Sequence, residues 1–134
     1  MRSLALLLLL TVGCASARTP DVREAQRAWM DALNALDETR IVDAYADDAT
    51  AFFPVVKNER VDGKEAIAAI FHQYVAGSTK KTNIVPEDLR VQQRGDLAIV
   101  TFNVHNPSAV SRRTFVWRWE GGRWRIVHMH ASNR

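Results

Sequence analysis

The feature that most restricts the fold is a hairpin pattern near the C-terminus. Two segments rich in aromatic and β-branched residues, Arg112 to Trp119 and Trp124 to His130, flank the turn Glu120-Gly121-Gly122-Arg123. Paired glycines suit the two-residue turns of hairpins, which require positive φ angles. Two further strand patterns, Leu89 to Gln93 and Leu97 to His105, precede this hairpin. The C-terminal half is therefore predicted to be a run of antiparallel strands.

The N-terminal half shows helical periodicity instead. Thr19-Pro20-Asp21 predicts a helix start in which Thr19 is the cap and Pro20 occupies the first turn. The apolar residues that follow recur at helical spacing: Val22, Ala25, Trp29, Leu33 and Leu36. Asp37 is predicted to cap a short second helix that ends at the Asp47-Asp48 pair. Both helices therefore precede the first predicted strand.

One strand and a third helix complete the first half. Ala49 to Val56 is rich in aromatic and β-branched residues around Pro54 and predicts a bent or edge strand. Asp62-Gly63-Lys64-Glu65 is a capping-box pattern with Asp62 as the cap, and Gly77 is predicted to stop that helix. Helices followed by a run of antiparallel strands predict an α+β domain.

The first seventeen residues are typical of an export signal. Arg2 supplies a positive charge, and the apolar run from Leu4 to Leu10 is far shorter than the ~20 residues of a spanning helix. Two cleavage sites stay open. Thr11-Val12-Gly13-Cys14 resembles a bacterial lipobox, which would lipidate Cys14, whereas Ala15-Ser16-Ala17 suits ordinary signal peptidase. We expect residues 18–134 to form a periplasmic, secreted or lipid-anchored domain, for which a lipidated Cys14 would be the only membrane attachment.

The composition excludes several classes of function. Eighteen Lys and Arg against fifteen Asp and Glu give a formal charge of +3, too small an excess for a dedicated nucleic-acid binder. One cysteine excludes an internal disulfide and a cysteine-based zinc site. Four histidines occur without HExxH or similar spacing. We therefore expect no nucleic-acid partner, no cofactor and no metal.

The hairpin also predicts where a pocket lies. With Gly121-Gly122 as the loop, cross-strand pairing places Phe115 opposite His128 and Arg113 opposite His130, and such partners share a face of the sheet. That face then carries Trp119, Trp124, Trp117, Ile126, Phe115, His128, Arg113 and His130. It is apolar near the turn and polar at the far end, which suits a core that opens into a pocket.

At this point the chain resembles the SnoaL-like and nuclear-transport-factor-2-like proteins, over residues 19–132. The matching stretches are VDAYADDATAFFP (Val42 to Pro54), VDGKEAI (Val61 to Ile67) and TFVWRWEGGRWRIVHMHAS (Thr114 to Ser132). The last is also similar to the association domain of calmodulin-dependent protein kinase. The resemblance implies a cone: a curved antiparallel sheet wrapped around three helices and open at one end. It also implies a homodimer that pairs through the outer face of the sheet.

The resemblance leaves the chemistry open, because one cone carries many activities. Ketosteroid isomerases place an acidic general base just before a proline, where this chain has Phe53 before Pro54. The kinase association domain places two arginines where Phe115 and Ala131 stand here, and Arg113 is a candidate substitute. Whether the protein is an enzyme is therefore left open.

Three functional hypotheses follow. The first is an exported domain that binds a small, partly apolar organic molecule, oriented by Arg113, His128 and His130. Its walls would be Trp29, Tyr45, Phe53, Tyr74, Phe115 and Trp117. The second is a cofactor-free enzyme of the SnoaL kind that transfers a proton with His128 or His130 as the catalytic base. The third is an assembly module that acts by dimerising.

Individual side chains carry alternative interpretations. The two histidines could instead bind a metal with Asp47, Asp48 or His72, or close the cone wall as hydrogen-bonded residues. Arg113 could bind a ligand carboxylate or pair with a helix carboxylate. A basic strip is predicted on the opposite hairpin face, as a solvated surface or a dimer interface. It comprises Arg112, Arg118, Arg123 and Arg125.

Overall fold

The computed structural model describes residues 18–57, 59–106 and 109–134. The predicted export signal and the lipobox at Cys14 lie outside these residues. The helices are α1 (Val22–Ala35), α2 (Glu38–Asp43) and α3 (Lys64–Gly77). The strands are β1 (Tyr45–Phe52), β2 (Val61–Asp62), β3 (Glu87–Arg94), β4 (Leu97–Asn106), β5 (Ala109–Glu120) and β6 (Arg123–Asn133). No helix in the described part of the chain is long and apolar enough to cross a membrane.

The caps of α1 and α2 are aspartates. Asp21, rather than the predicted Thr19, accepts a hydrogen bond from the Arg23 amide at 2.9 Å and begins α1. The helix ends where Leu36 adopts a left-handed conformation with φ +57°. Asp37 caps α2 as predicted, accepting from the Arg40 amide at 3.1 Å. A carboxylate at each position satisfies a free amide and interacts well with the positive end of the helix dipole.

The capping box predicted for α3 is wrong. Gly63 is the N-cap at φ +89°, and no side chain caps the helix. Asp62 lies in β2, opposite Thr50 of β1, and its carboxylate pairs with Arg60 at 2.5 Å. The Gly63 amide instead donates to the Ala49 carbonyl at 2.8 Å, which links the helix start to the sheet. The pairing of β2 with β1 thus overrides the local capping pattern, because it holds the backbone of both Asp62 and Gly63 against β1.

The second helix is shorter than predicted. It ends at Asp43, and the Asp47-Asp48 pair lies within β1 instead of terminating the helix. The Ile126 amide of β6 donates to the Ala44 carbonyl at 2.8 Å, where the chain leaves the helix and enters the sheet. Both aspartates are exposed, whereas Tyr45 and Ala49 of the same strand are buried. Long-range pairing with β6 therefore sets this boundary.

The six strands form one curved, unclosed sheet in the order β2-β1-β6-β5-β4-β3. Neighbours pair antiparallel except β1 and β6, which run parallel. The predicted α+β fold with a curved sheet packed on three helices is confirmed, although the sheet is mixed and not entirely antiparallel. The parallel pair is possible because β1 and β6 are distant in sequence, so no short turn fixes their direction.

The core fills the concave side of the sheet, against the helices. Trp117 is buried there and donates from Nε1 to Oε1 of the equally buried Gln26 of α1 at 3.0 Å. Phe115 stacks between Phe102 and Trp117, with ring centroids 5.7 and 6.3 Å away. A buried indole needs such an acceptor, because an unpaired N–H in an apolar interior is costly. This contact fixes α1 against the centre of the sheet.

Candidate functional site

A β-bulge in β6 determines which side chains face the concave side. Near the turn the pairing is as predicted, with Trp119 opposite Trp124 and Trp117 opposite Ile126. The register then shifts, so that Val116 pairs with His128 and Val127 is the extra residue. One inserted residue moves all later side chains of the bulged strand to the other face.

The predicted placement of both histidines in the pocket is therefore wrong. His130 lies opposite Thr114, and His128 lies opposite Val116, on the outer face of the sheet. Met129 and Ala131 occupy the concave face in their place, opposite Phe115 and Arg113. The proposed general-base role inside the cavity and the predicted orientation of a ligand by these imidazoles thus lack the geometry they require.

A cavity of about 380 Å³ lies between α1, α3 and the sheet. Its volume falls within the range of about 300–1,000 Å³ typical of small-molecule sites. The predicted site residues among its walls are Trp29, Phe53, Tyr74, Arg113 and Phe115. The remaining walls are Leu33, Pro54, Val55, Ile70, Phe71, Gln73, Ile84, Met129 and Ala131.

Two other predicted wall residues lie behind the cavity. Tyr45 and Trp117 are fully buried in the core, and neither lines the cavity. Burial raises the pKa of the Tyr45 phenol well above its ordinary value, so this residue stays neutral. Its hydroxyl and the Trp29 indole N–H have no hydrogen-bond partner among the described residues.

Aromatic rings make up most of the cavity wall. The Trp29 ring packs edge-on against Phe115 at 4.8 Å and against Phe71 at 6.2 Å between centroids. Phe53 packs edge-on against Phe71 at 5.5 Å. The residue at the isomerase-base position therefore belongs to an aromatic cluster. Such a wall favours a flat or apolar ligand body.

Arg113 is the charged residue among the described cavity walls. Its Nη1 donates to the Ser111 hydroxyl and to the Arg112 carbonyl, the latter at 3.2 Å. No described carboxylate forms a salt bridge with it, so the alternative of an ion pair with a helix carboxylate is not observed there. Burial lowers the pKa of the guanidinium, an effect opposed by the nearby Tyr45 and Tyr74 phenols. Arginine nevertheless remains protonated in proteins.

The outer-face histidines sit in a different environment. His128 Nδ1 lies 2.7 Å from the Thr50 hydroxyl, and Phe52 packs against both imidazoles. Burial lowers the pKa of His128, with smaller contributions from the charges of His130 and Arg60. These contacts are those of a half-buried patch on the sheet surface.

Two of the alternative metal partners, His72 and Asp48, form contacts elsewhere. His72 Nδ1 lies 3.1 Å from the Glu38 carboxylate, between α3 and α2. Asp48 pairs with Arg118 at 3.2 Å. Across residues 18–57, 59–106 and 109–134, no three His, Cys, Asp or Glu side chains lie close enough together to hold a metal ion.

The arrangement that defines the class is three helices packed against a curved sheet, with a cavity lined largely by aromatic residues between them. The family described as SnoaL-like domain matches residues 22–133. The chain therefore belongs to the SnoaL-like family, as the sequence resemblance predicted. No curated protein matches it.

Solved structures agree with this fold. A nuclear-transport-factor-2-like protein of unknown function from Pseudomonas putida is 28% identical, with a TM-score of 0.76 over 83% of this chain and 82% of that one. A ketosteroid isomerase-like protein from Parabacteroides distasonis is 18% identical, with a TM-score of 0.71 over 89% and 92%. A protein from Thiobacillus denitrificans, similar to the association domain of calcium/calmodulin-dependent protein kinase type II, is 21% identical. Its TM-score is 0.72 over 87% of this chain and 98% of that one.

Proposed function

We propose that this SnoaL-like domain binds a small, largely apolar organic anion in its cavity, with Arg113 as the anchor. The observation that carries this proposal is a half-buried guanidinium on an apolar wall, without a carboxylate partner in the described residues. Removing a charge from water is costly unless an opposite charge or good hydrogen bonds compensate. A ligand anion supplies both, because hydrogen bonds between charged groups are stronger than those between neutral ones.

The size and composition of the walls restrict the ligand further. Five aromatic residues line the cavity together with Arg113, so the ligand body is expected to be apolar and flat or narrow. The described walls contain no Asp, Glu or His side chain, so neither a repelling carboxylate nor an evident general base is present. These features support binding more directly than they support proton transfer.

Native mass spectrometry of the gently purified full chain tests this proposal. We expect a discrete additional mass of a few hundred daltons, within the size of a ligand that fills such a cavity. The Arg113→Ala variant should lose this mass while remaining folded. Arg112→Ala is the matched control, because that side chain is exposed on the outer face of the same strand. Retention of the same mass by Arg113→Ala would contradict the proposal.

We also propose that the outer face of the sheet pairs with a second copy of the chain. Leu97, Ile99 and Phe52 expose apolar side chains there, with 49%, 40% and 37% of their surface accessible. Leu97 and Ile99 are neighbours on this face of β4, whereas Phe52 lies on β1, with β6 and β5 between the two strands. Neighbouring exposed apolar residues on an open sheet mark an interaction surface. An Ile99→Asp substitution should convert a dimer to a monomer in sedimentation analysis, and a dimer that survives the substitution would refute this interface.

Export of the domain remains a proposal that rests on the first seventeen residues. Fractionation of cells that produce the full chain, with a Cys14→Ser variant alongside, separates the lipid-anchored form from the freely secreted one. Membrane association lost in Cys14→Ser supports lipidation, whereas a soluble periplasmic wild type supports ordinary cleavage.

A further inference from the structure

The environment of the Arg113 guanidinium restricts how a ligand anion can approach it. Arginine has five N–H groups in a planar fork, of which Nη1 carries two. Nη1 donates to the Ser111 hydroxyl and to the Arg112 carbonyl, so both of its protons have acceptors. No hydrogen bond from Nε or Nη2 is made to the described residues. The edge formed by Nε and Nη2 is therefore available to a ligand.

Ser111 is itself held in place. It is buried, with 2% of its surface accessible, and its hydroxyl lies 2.7 Å from Oδ1 of Asn133 and 3.2 Å from the Ser132 carbonyl. A serine hydroxyl donates one hydrogen bond and accepts up to two. It donates toward β6 and accepts from Arg113, so its orientation is determined on both sides. The result is a chain of contacts from Asn133 through Ser111 to the guanidinium.

We propose that Ser111 is a positioning residue, which holds Arg113 by Nη1 and presents the Nε/Nη2 edge to a ligand carboxylate. The two parallel N–H groups of that edge match the two oxygens of a planar carboxylate, which they bind in bidentate fashion. The ligand class is then an apolar monocarboxylate. This inference rests on the proposed anion-binding function and adds to it the chemical class of the ligand and the residue that selects it.

The experiment measures selectivity with two matched probe pairs. One pair is naphthaleneacetate and its neutral amide, and the other is decanoate and decanamide, so that probe shape does not decide the result. Each is titrated against the full chain by calorimetry at about pH 7, where the carboxylate is ionised. We expect the wild type to prefer acid over amide by about tenfold or more. Arg113→Gln should abolish this preference.

The positioning role is tested by Ser111 itself. Ser111→Ala should reduce the acid-to-amide preference about threefold or more, because the guanidinium loses its fixed orientation. Ser111→Thr, which keeps the hydroxyl, should restore the preference. A purely structural role would weaken acid and amide binding alike and leave their ratio unchanged. Should Ser111→Ala fail to fold, Asn133→Ala serves instead. It removes the hydrogen bond that Asn133 accepts from Ser111, and Asn133 is exposed.

The outcomes separate this inference from the proposed function. Suppose that Ser111→Ala and Asn133→Ala keep the wild-type ratio of acid to amide affinity, while Arg113→Gln loses it. The positioning role is then overturned, and anion binding by Arg113 stands. An unchanged ratio in Arg113→Gln overturns both. Failure of both probe pairs to bind the wild type at millimolar concentration also overturns both.

Discussion

The two faces of the sheet carry arginines in opposite circumstances. On the outer face, Arg118 contacts Asp48 and Glu120, at 3.2 and 2.7 Å, and Arg123 contacts Asp43 at 2.5 Å. On the concave face, Arg113 of the same strand as Arg118 is half-buried and forms no such pair with the described residues. The predicted basic strip is thus largely neutralised by nearby carboxylates, whereas the isolated cation lies in an apolar cavity.

This difference shows which arginine lowers the stability of the fold and therefore needs a functional explanation. Exposed ion pairs contribute about 0–1 kcal/mol, so the outer arginines are easily explained as solvated surface. A half-buried cation without a counter-ion lowers stability, and such a residue is expected where a ligand requires it. Charge density along the sequence therefore misleads in this protein, and the local surroundings of each cation are more informative.

The largest expected effect compares neighbours on β5 that point to opposite faces. Trp117→Ala should lower the free energy of unfolding by about 3–5 kcal/mol, because it leaves a cavity and an unpaired Gln26. Val116→Ala, on the half-exposed outer face, should cost about 1 kcal/mol. Urea denaturation followed by circular dichroism measures both. Equal losses would mean that the two faces are not packed differently.

The next prediction tests the bulge at Val127. Met129→Ala should lower the free energy of unfolding by about 2–5 kcal/mol, because the side chain is buried against Phe115. His130→Ala should change it by no more than about 0.5 kcal/mol, since the residue is exposed on the outer face. If His130→Ala had the larger effect, the unbulged register would be correct and the histidines would lie on the concave face.

How far the sequence determines these faces is clear from the hairpin. The glycine turn and the pairs nearest to it were predicted correctly, because local turn geometry fixes their register. The regular alternation predicted for β6 does not include the bulge, although the sequence contains one signal of it. Ile126 and Met129 are both apolar but lie three residues apart, an odd spacing that cannot place both on one face of a regular strand. The apolar Met129 and Ala131 alternate with the histidines and identify the concave side after the bulge.

Other features depended on contacts that the sequence does not show. The start of α3 and the end of α2 are set by pairing between strands distant along the chain, and local capping signals carry no information about such pairing. Arg113 was correctly predicted at the cavity, although the predicted partner opposite it was His130 instead of Ala131. The wrong placements of His128 and His130 share one cause, the extra residue Val127 in β6. That no carboxylate of the described residues pairs with Arg113 depends on how the helices pack, which the sequence does not show.

A third prediction sharpens the contrast between paired and isolated arginines. Arg113→Met should leave the ligand-free domain as stable as the wild type or more stable by about 1 kcal/mol, because an apolar side chain suits the cavity better. The same substitution should abolish anion binding. Thermal unfolding of the stripped protein gives the first quantity and calorimetry gives the second. A clear loss of stability would show that the guanidinium is structural.

The smallest expected effect concerns His128 on the outer face. Burial holds the pKa of this imidazole below its usual 6.5 in the folded protein, so the unfolded chain takes up a proton more readily as the pH falls. The stability that follows from the neutral imidazole is therefore fully present above pH 6.5. It is lost as the pH falls from 6.5 to the lowered pKa, and below that it changes no further.

Urea midpoints measured across this pH interval test the assignment. His128→Gln should flatten the decline in stability, because glutamine carries no titrating proton. Thr50→Val removes the hydroxyl at 2.7 Å but leaves the imidazole buried, so the decline should persist in that variant. If Thr50→Val flattens the curve instead, the hydrogen bond sets the pKa and burial does not. The outer face would then resemble the cavity, where a single serine hydroxyl controls the behaviour of a charged group.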